Sequence, residues 1–261
     1  MLTIEKLEQI LEEKLPLATQ EDWDNSGWQV RLSGGQGIEK ILLALEVNEA
    51  VAREAQEMGC QVILCHHPLL FPDIQRLDER SAEGRTLTAL VRAGISVYAC
   101  HTVFDKAEGG MNDYLGRILG FQEIRPCPEA AGEPAAYLRR GKLEKPLSLA
   151  GVSALVQERL GLVTGDVRVT GDPEQEIRTA CWCTGSGGGF LRAAAGLSTD
   201  LYITGDVKYH DARWAMDNGL AVIDAGHFGT EQLFGAAMGE VLQDLPCQLI
   251  ISAVDLNPFV W

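Results

Sequence analysis

No apolar run in this chain approaches the roughly 18 residues that span a bilayer, so no membrane-spanning helix is expected. Positive charge is also short. Lys and Arg total 22 against 37 Asp and Glu, a net charge of −15, and no long Lys/Arg run offsets it. Such a chain repels phosphate backbones and anionic lipid heads at long range, which argues against nonspecific nucleic-acid or membrane binding. The acidic, helix-patterned start MLTIEKLEQILEEK fits neither a secretory signal nor a transit peptide. The cytoplasm is the expected compartment. Cys181-Trp182-Cys183 lacks a second cysteine pair at zinc-finger spacing. The seven cysteines are odd in number and lie mostly in apolar segments, which reads as buried, reduced thiols. There is no G-x-S-x-G elbow, no G-x-G-x-x-G and no Walker A motif, so serine-hydrolase and nucleotide-fold readings have no anchor.

What is present is a rhythm. TIEKLEQILEEKL spaces Ile4, Leu7, Leu11 and Leu15 as an amphipathic helix. EDWDNSGWQV reads as a polar turn. Apolar strands are then predicted in KILLALEV (40–47), CQVILCHHP (60–68) and ISVYACH (95–101), each followed by a helical stretch. Alternation of this kind indicates a largely parallel sheet covered on both faces by helices. Residues 122–146 hold four prolines and break the pattern. The second half resumes it with strands at EIRTACWC, DLYITGD and LAVIDAGH, a single helix in GTEQLFGAAMGEVLQDL and a last strand in CQLIISAV. The expected organisation is α/β: an N-terminal half (1–125), a Pro-rich connection (126–146) and a C-terminal half (147–261), each with a mostly parallel sheet flanked by helices.

Histidine is scarce, with five in the chain, yet His66, His67, His101 and His227 all stand at predicted strand ends. In open α/β sheets those ends carry the ligand site. Neighbours on a strand face opposite ways, so His66 and His67 reach one site only where the strand stops, and Pro68 supports a stop there. Asp105 follows His101 by four residues, and Glu231 follows His227 by four. Together His66, His67, Asp105, His227 and Glu231 offer three imidazoles and two carboxylates. This set suits zinc, iron, manganese, nickel or cobalt. A carboxylate can also bridge two ions about 4 Å apart. The loop Gly185-Ser186-Gly187-Gly188-Gly189 reads equally as an anion cradle or as a tight strand-to-helix turn. Asp206, Tyr209 and His210 read either as groups that orient imidazoles or move protons, or as a helix cap and its exposed first turn.

The stretches DWDNSGWQV, CHHPLLF, HTVFDKAEGGMND, TGDVKYHD and DAGHFGTEQ together resemble the NIF-three-like dinuclear metal-centre family, whose members are often labelled GTP cyclohydrolase 1 type 2 homologues. The resemblance runs from about residue 20 to 235 in the family's order. It implies a NIF-three-like fold with a metal site in the crevice between the halves, and two divalent ions per subunit. His66 and His67 would bind different ions, Asp105 one, His227 the other, and Glu231 both. It places His101 outside the ligand set. It implies a homohexamer. Glu46 and Asn48 stand where the family often has Asp and Thr, and Val103 where Asn is frequent. The function expected is a metal-dependent hydrolase acting on a small phosphorylated or nucleotide substrate, with His210 or His101 shuttling protons. The rivals are a non-catalytic metal-binding, delivery or regulatory protein, and a purely structural metal site.

Overall fold

The computed structural model describes all residues except 33–36, 72, 73, 75, 131, 133, 164, 260 and 261. The chain divides into two compact units. Unit 1 comprises 1–107 and 234–258; unit 2 comprises 108–233 and 259–261. The strands, in chain order, are β1 (Gly27–Val30), β2 (Lys40–Ala44), β3 (Val62–Cys65), β4 (Ser96–Ala99), β5 (Gln122–Pro126), β6 (Arg139–Ser148), β7 (Arg168–Thr170), β8 (Glu176–Trp182), β9 (Leu201–Thr204), β10 (Ala221–Asp224) and β11 (Gln248–Ile251). No helix among the described residues is long and apolar enough to cross a membrane.

Unit 1 holds a five-stranded sheet in the order β1-β4-β3-β2-β11. Its β11-β2, β2-β3 and β3-β4 pairs are parallel, and β1 closes the β4 edge antiparallel. The parallel strands β2, β3 and β4 are almost wholly buried, the signature of a sheet covered on both faces. The connecting helices begin and end as their sequences direct. Asn48 caps Glu49–Met58 by accepting from the Ala50 and Val51 N–H groups, and Gly59 stops it in the left-handed region. Ser81 and Gly94 do the same for Ala82–Ala93.

Unit 2 holds a six-stranded sheet, β5-β6-β8-β9-β10-β7. Only β8-β9 and β9-β10 are parallel; β5-β6, β6-β8 and β10-β7 are antiparallel. Its core centres on Trp182, which is fully buried, stacks on Phe121 with centroids 4.9 Å apart and donates its indole N–H to Asn112 O at 2.8 Å. Trp182→Ala is expected to cost about 3–5 kcal/mol in chemical denaturation, since it removes both a large apolar volume and the Asn112 partner.

Four sequence expectations are corrected. The unit 1 sheet is mostly parallel as expected, in three of its four pairs, but the unit 2 sheet is mixed, with two of its five pairs parallel. GWQV is strand β1, too short to show alternation, and is held by Trp28 edge-on to Tyr98 at 5.0 Å. The segment expected to be a connection supplies β5 and β6; their exposed, polar residues hid the strands because each lies near a sheet edge. The single helix after Gly226 is two, His227–Glu231 and Phe234–Val241, divided at Gln232-Leu233. The first buries Thr230 and Glu231 in unit 2. The second packs Phe234 against Phe104 in unit 1 and leads to β11. The unit boundaries therefore fall at 107/108 and 233/234 instead of near 125 and 147.

Candidate metal centre

Strand β3 stops at Cys65, and the reason lies in the next two residues. The N–H groups of His66 and His67 both donate to one carbonyl, Leu45 O, at 3.1 and 2.9 Å. A continuing strand would send only one of two neighbouring N–H groups to that side. The pleat is lost there, and both imidazoles leave from one point. Their rings lie 5.2 Å apart, and His101, from the end of β4, lies 5.2 Å from His66 and 5.8 Å from His67. One ring nitrogen from each of the three falls within 4.8 Å of the others. Asp105, on the short helix Thr102–Lys106, brings Oδ1 to 3.5 Å from His66 Nε2. Both side chains are buried. Unit 1 thus gathers His66, His67, His101 and Asp105.

Protonation on the buried ring is set by its other nitrogen. His66 Nδ1 lies 2.9 Å from Cys100 O, a carbonyl that only accepts, so Nδ1 carries a proton, and Nε2 faces Asp105. A lone pair and a carboxylate oxygen repel unless a proton or a cation joins them. His67 Nδ1 is 3.7 Å from Glu46 Oε2. His101 Nδ1 is 2.7 Å from Asp24 Oδ1. Burial raises the Asp24 carboxyl, but hydrogen bonds from His101, Thr102 and Ser26 outweigh it and hold the group well below the usual carboxylate range. Trp23, about half exposed, stands edge-on to His101 at 5.8 Å and to Phe71 at 6.4 Å.

Unit 2 gathers the second set at the ends of β8, β9 and β10. His227 opens the turn after Gly226, with Nδ1 2.9 Å from Asp206 Oδ2 and Nε2 2.9 Å from Glu231 Oε2. The Glu231 residue is 4 % exposed. An imidazole fixed by one carboxylate and facing another is the arrangement that orients metal-ligating histidines. Asp206 is in the left-handed region at φ 56°, where aspartate is among the few residues tolerated.

The glycine loop is a packing device in this structure. The Gly185 N–H donates to Thr230 Oγ1 at 2.8 Å and the Gly188 N–H to Gly205 O at 3.1 Å, so protein atoms already take two of the N–H groups an anion would need. A Cβ on Gly185 would lie 2.0 Å from Glu231 Oε1.

Each of the five expected ligands thus meets a carboxylate or imidazole partner within its own unit: His66, His67 and Asp105 in unit 1, His227 and Glu231 in unit 2. His67 joins the three-histidine group. His101 belongs to that group as well. His210 sits on the exposed first turn of the helix Tyr209–Asp217, its ring edge-on to Tyr209 at 5.3 Å. Asp24 was not expected; DWDNSGW marked its stretch but nothing in the sequence tied it to His101. The thiols are buried apart from the partly exposed Cys247, and all seven are free. Burial pushes Cys127 up to about 11 and Cys181 to about 12, which keeps them protonated and poor ligands.

The family described as Duf34/NIF3 (NGG1p interacting factor 3) matches residues 2–258. A Clostridium perfringens protein named GTP cyclohydrolase 1 type 2 homolog is 34% identical over 254 residues, 96% of each chain. The NIF3-like protein 1 of Drosophila melanogaster is 29% identical over 254 residues, 96% of this chain and 86% of the fly protein. Among solved structures, a Staphylococcus aureus hypothetical protein matches with a TM-score of 0.90 at 23% identity, covering 100% of this chain and 99% of that one. A Bacillus cereus protein related to NIF3 matches at 0.87 and 22%, covering 98% of both. At these identities the two structures speak for the fold.

Proposed function

Because the chain belongs to the Duf34/NIF3 family, we propose that it is a dinuclear metal-dependent hydrolase. His66, His67 and Asp105 from unit 1, with His227 and Glu231 from unit 2, are the proposed ligands of two divalent ions. The observation that carries this reading is the shared setting of two imidazoles, His66 fully buried and His227 partly exposed. His66 and His227 each have Nδ1 on an oxygen acceptor and Nε2 toward a buried carboxylate. The donors are nitrogen and oxygen with no available thiolate, which fits zinc, iron, manganese, nickel or cobalt.

When bound, such a pair of ions supplies Lewis-acid polarisation of the electrophile and activation of a water nucleophile. The chain's own part is positional and protonic. Cys100 O and Asp206 fix the two rings, and Gly185 leaves room for the Glu231 carboxylate. Asp24 holds His101 by Nδ1, so His101 Nε2 takes a proton from the attacking side and returns it to the leaving group. Trp23, edge-on to His101, and Phe71, edge-on to Trp23, present exposed aromatic surface, which suits a planar, nucleotide-like substrate. The names of the curated relatives point the same way. The proposed assembly is a homohexamer, the closed ring that the family resemblance implies.

Elemental analysis of natively purified protein tests the centre. Two ions per chain are expected in the wild type, and one or none in Glu231→Gln. Equal metal content in the two proteins would sink the assignment. Turnover of GTP and of a phosphoester panel by the metal-loaded wild type, lost in Glu231→Gln, tests the hydrolase. A loaded wild type inert toward all of them would make the protein a metal binder or carrier instead.

A further inference from the structure

The three strands β5, β6 and β8 carry on one face a cleft of about 170 Å³. Its charged and hydroxyl lining includes Glu123, Arg125, Arg140, Lys142, Thr179 and Ser198. None of these is among the proposed metal ligands. Arg125 and Arg140 are direct cross-strand partners in the antiparallel β5-β6 pair. Like charges placed opposite one another on a sheet destabilise it. Lys142 follows Arg140 by two residues and so shares its face, with Thr179 opposite it on β8. A sequence that sets two like charges directly opposite one another, with a third on the same face, is expected to do so at a functional site.

The backbone departs from the ordinary at the same place. Glu123 (φ 53°) and Ser198 (φ 54°) both line the cleft, and with Asp206 they are the non-glycine residues with positive φ among those described. The register of β5 on β6 shifts between Gln122 and Arg125, a bulge that brings Arg125 opposite Arg140. Arg140 pairs with Glu129, and Lys142 with Glu123. Arg125 makes no ion pair among the described residues. Arg140 Nε is buried without a hydrogen-bond partner among them. Arg125, Arg140 and Lys142 against Glu123 and Glu129 leave a local excess of +1, in a chain whose net charge is −15.

We propose that this cleft is a second site, which binds phosphate or the phosphate of a small phosphomonoester. Two guanidinium forks and an ammonium match a tetrahedral dianion, which offers acceptor oxygens to all three; a carboxylate has only two. The volume lies below the roughly 300–1,000 Å³ of pockets for larger organic ligands, so the ligand is small. Bound phosphate relieves the repulsion between Arg125 and Arg140, which explains why the pair is retained.

Calorimetric titration of the full chain with inorganic phosphate at fixed low chloride tests this. One saturable site per chain is expected. Arg125→Gln and Arg140→Gln should each weaken it by about tenfold or more, the loss of one charge-assisted fork. Glu231→Gln should leave it unchanged. Without phosphate, Arg125→Gln should unfold at a midpoint equal to or above that of the wild type, because the like-charge pair is gone. The proposal is overturned by affinity that survives both arginine variants, by binding lost in Glu231→Gln, or by no saturable binding in the millimolar range. A lowered midpoint for Arg125→Gln would make the arginines structural and would overturn it as well.

Discussion

Gly185→Ala is expected to lose bound metal and stability together, while Gly189→Ala in the same loop changes neither. A methyl at 185 would stand 2.0 Å from Glu231 Oε1, 2.9 Å from its Cδ and 3.3 Å from His227 Nε2. Residue 185 also has φ +62°, where an L side chain costs about 1–2 kcal/mol before any contact is counted. The carboxylate must swing away, and it is nearly buried, so it leaves His227 for poorer surroundings. Displacing this proposed ligand should weaken metal binding by at least the roughly 10–100-fold lost when a group that merely supports a ligand is removed. At Gly189 an added Cβ meets nothing within 4 Å and φ is not positive. Elemental analysis and denaturation of the two variants side by side check this. Equal metal content in both would mean that the Gly185–Glu231 contact does not govern the site.

Asp24→Ala should be among the most destabilising single changes in unit 1, at about 3–5 kcal/mol, because it strips a buried anion from a set of donors built around it. Oδ1 accepts from His101 Nδ1 at 2.7 Å and from the Asn25 N–H at 2.7 Å. Oδ2 accepts from Ser26 Oγ at 2.7 Å, Thr102 Oγ1 at 2.6 Å and the Thr102 N–H at 3.2 Å. The side chain has no exposed surface. Its depressed folded-state value fixes the sign of the pH dependence. The contribution is complete above the ordinary aspartate value of about 4, and it is lost as pH falls below that toward the folded value. Wild-type stability should therefore fall more steeply than that of Asp24→Asn between about pH 5 and pH 3. Parallel curves in urea titrations across that range would remove Asp24 from the account. If metal content is unchanged in Asp24→Asn while turnover falls, His101 is placed in proton transfer and outside the ligand set.

The buried parallel strands were readable because each is a short apolar run between helices whose caps are written in the chain, Asn48 and Gly59 or Ser81 and Gly94. The histidines were readable because they interrupt those runs at their ends. Strands β5 and β6 were hidden because they are polar and lie at or next to an edge, where neither a continuous run nor a clean alternation forms. The helix break at Gln232-Leu233 was hidden because its two pieces serve different cores, and helical periodicity does not register which core a face will meet.

By itself, the sequence determined the residue types at each strand end and the acidic balance of the chain. Local chemistry suffices for both. Tertiary structure decided which oxygen holds Nδ1 of each imidazole, since the partners are remote: Cys100 for His66, Asp206 for His227 and Asp24 for His101, the last 77 positions away. It decided that the glycine loop makes room for Glu231, since a Cβ at Gly185 would lie 2.0 Å from its Oε1. It also decided that Arg125 and Arg140 stand opposite one another, because a one-residue shift of register would have sent one of them to the other face.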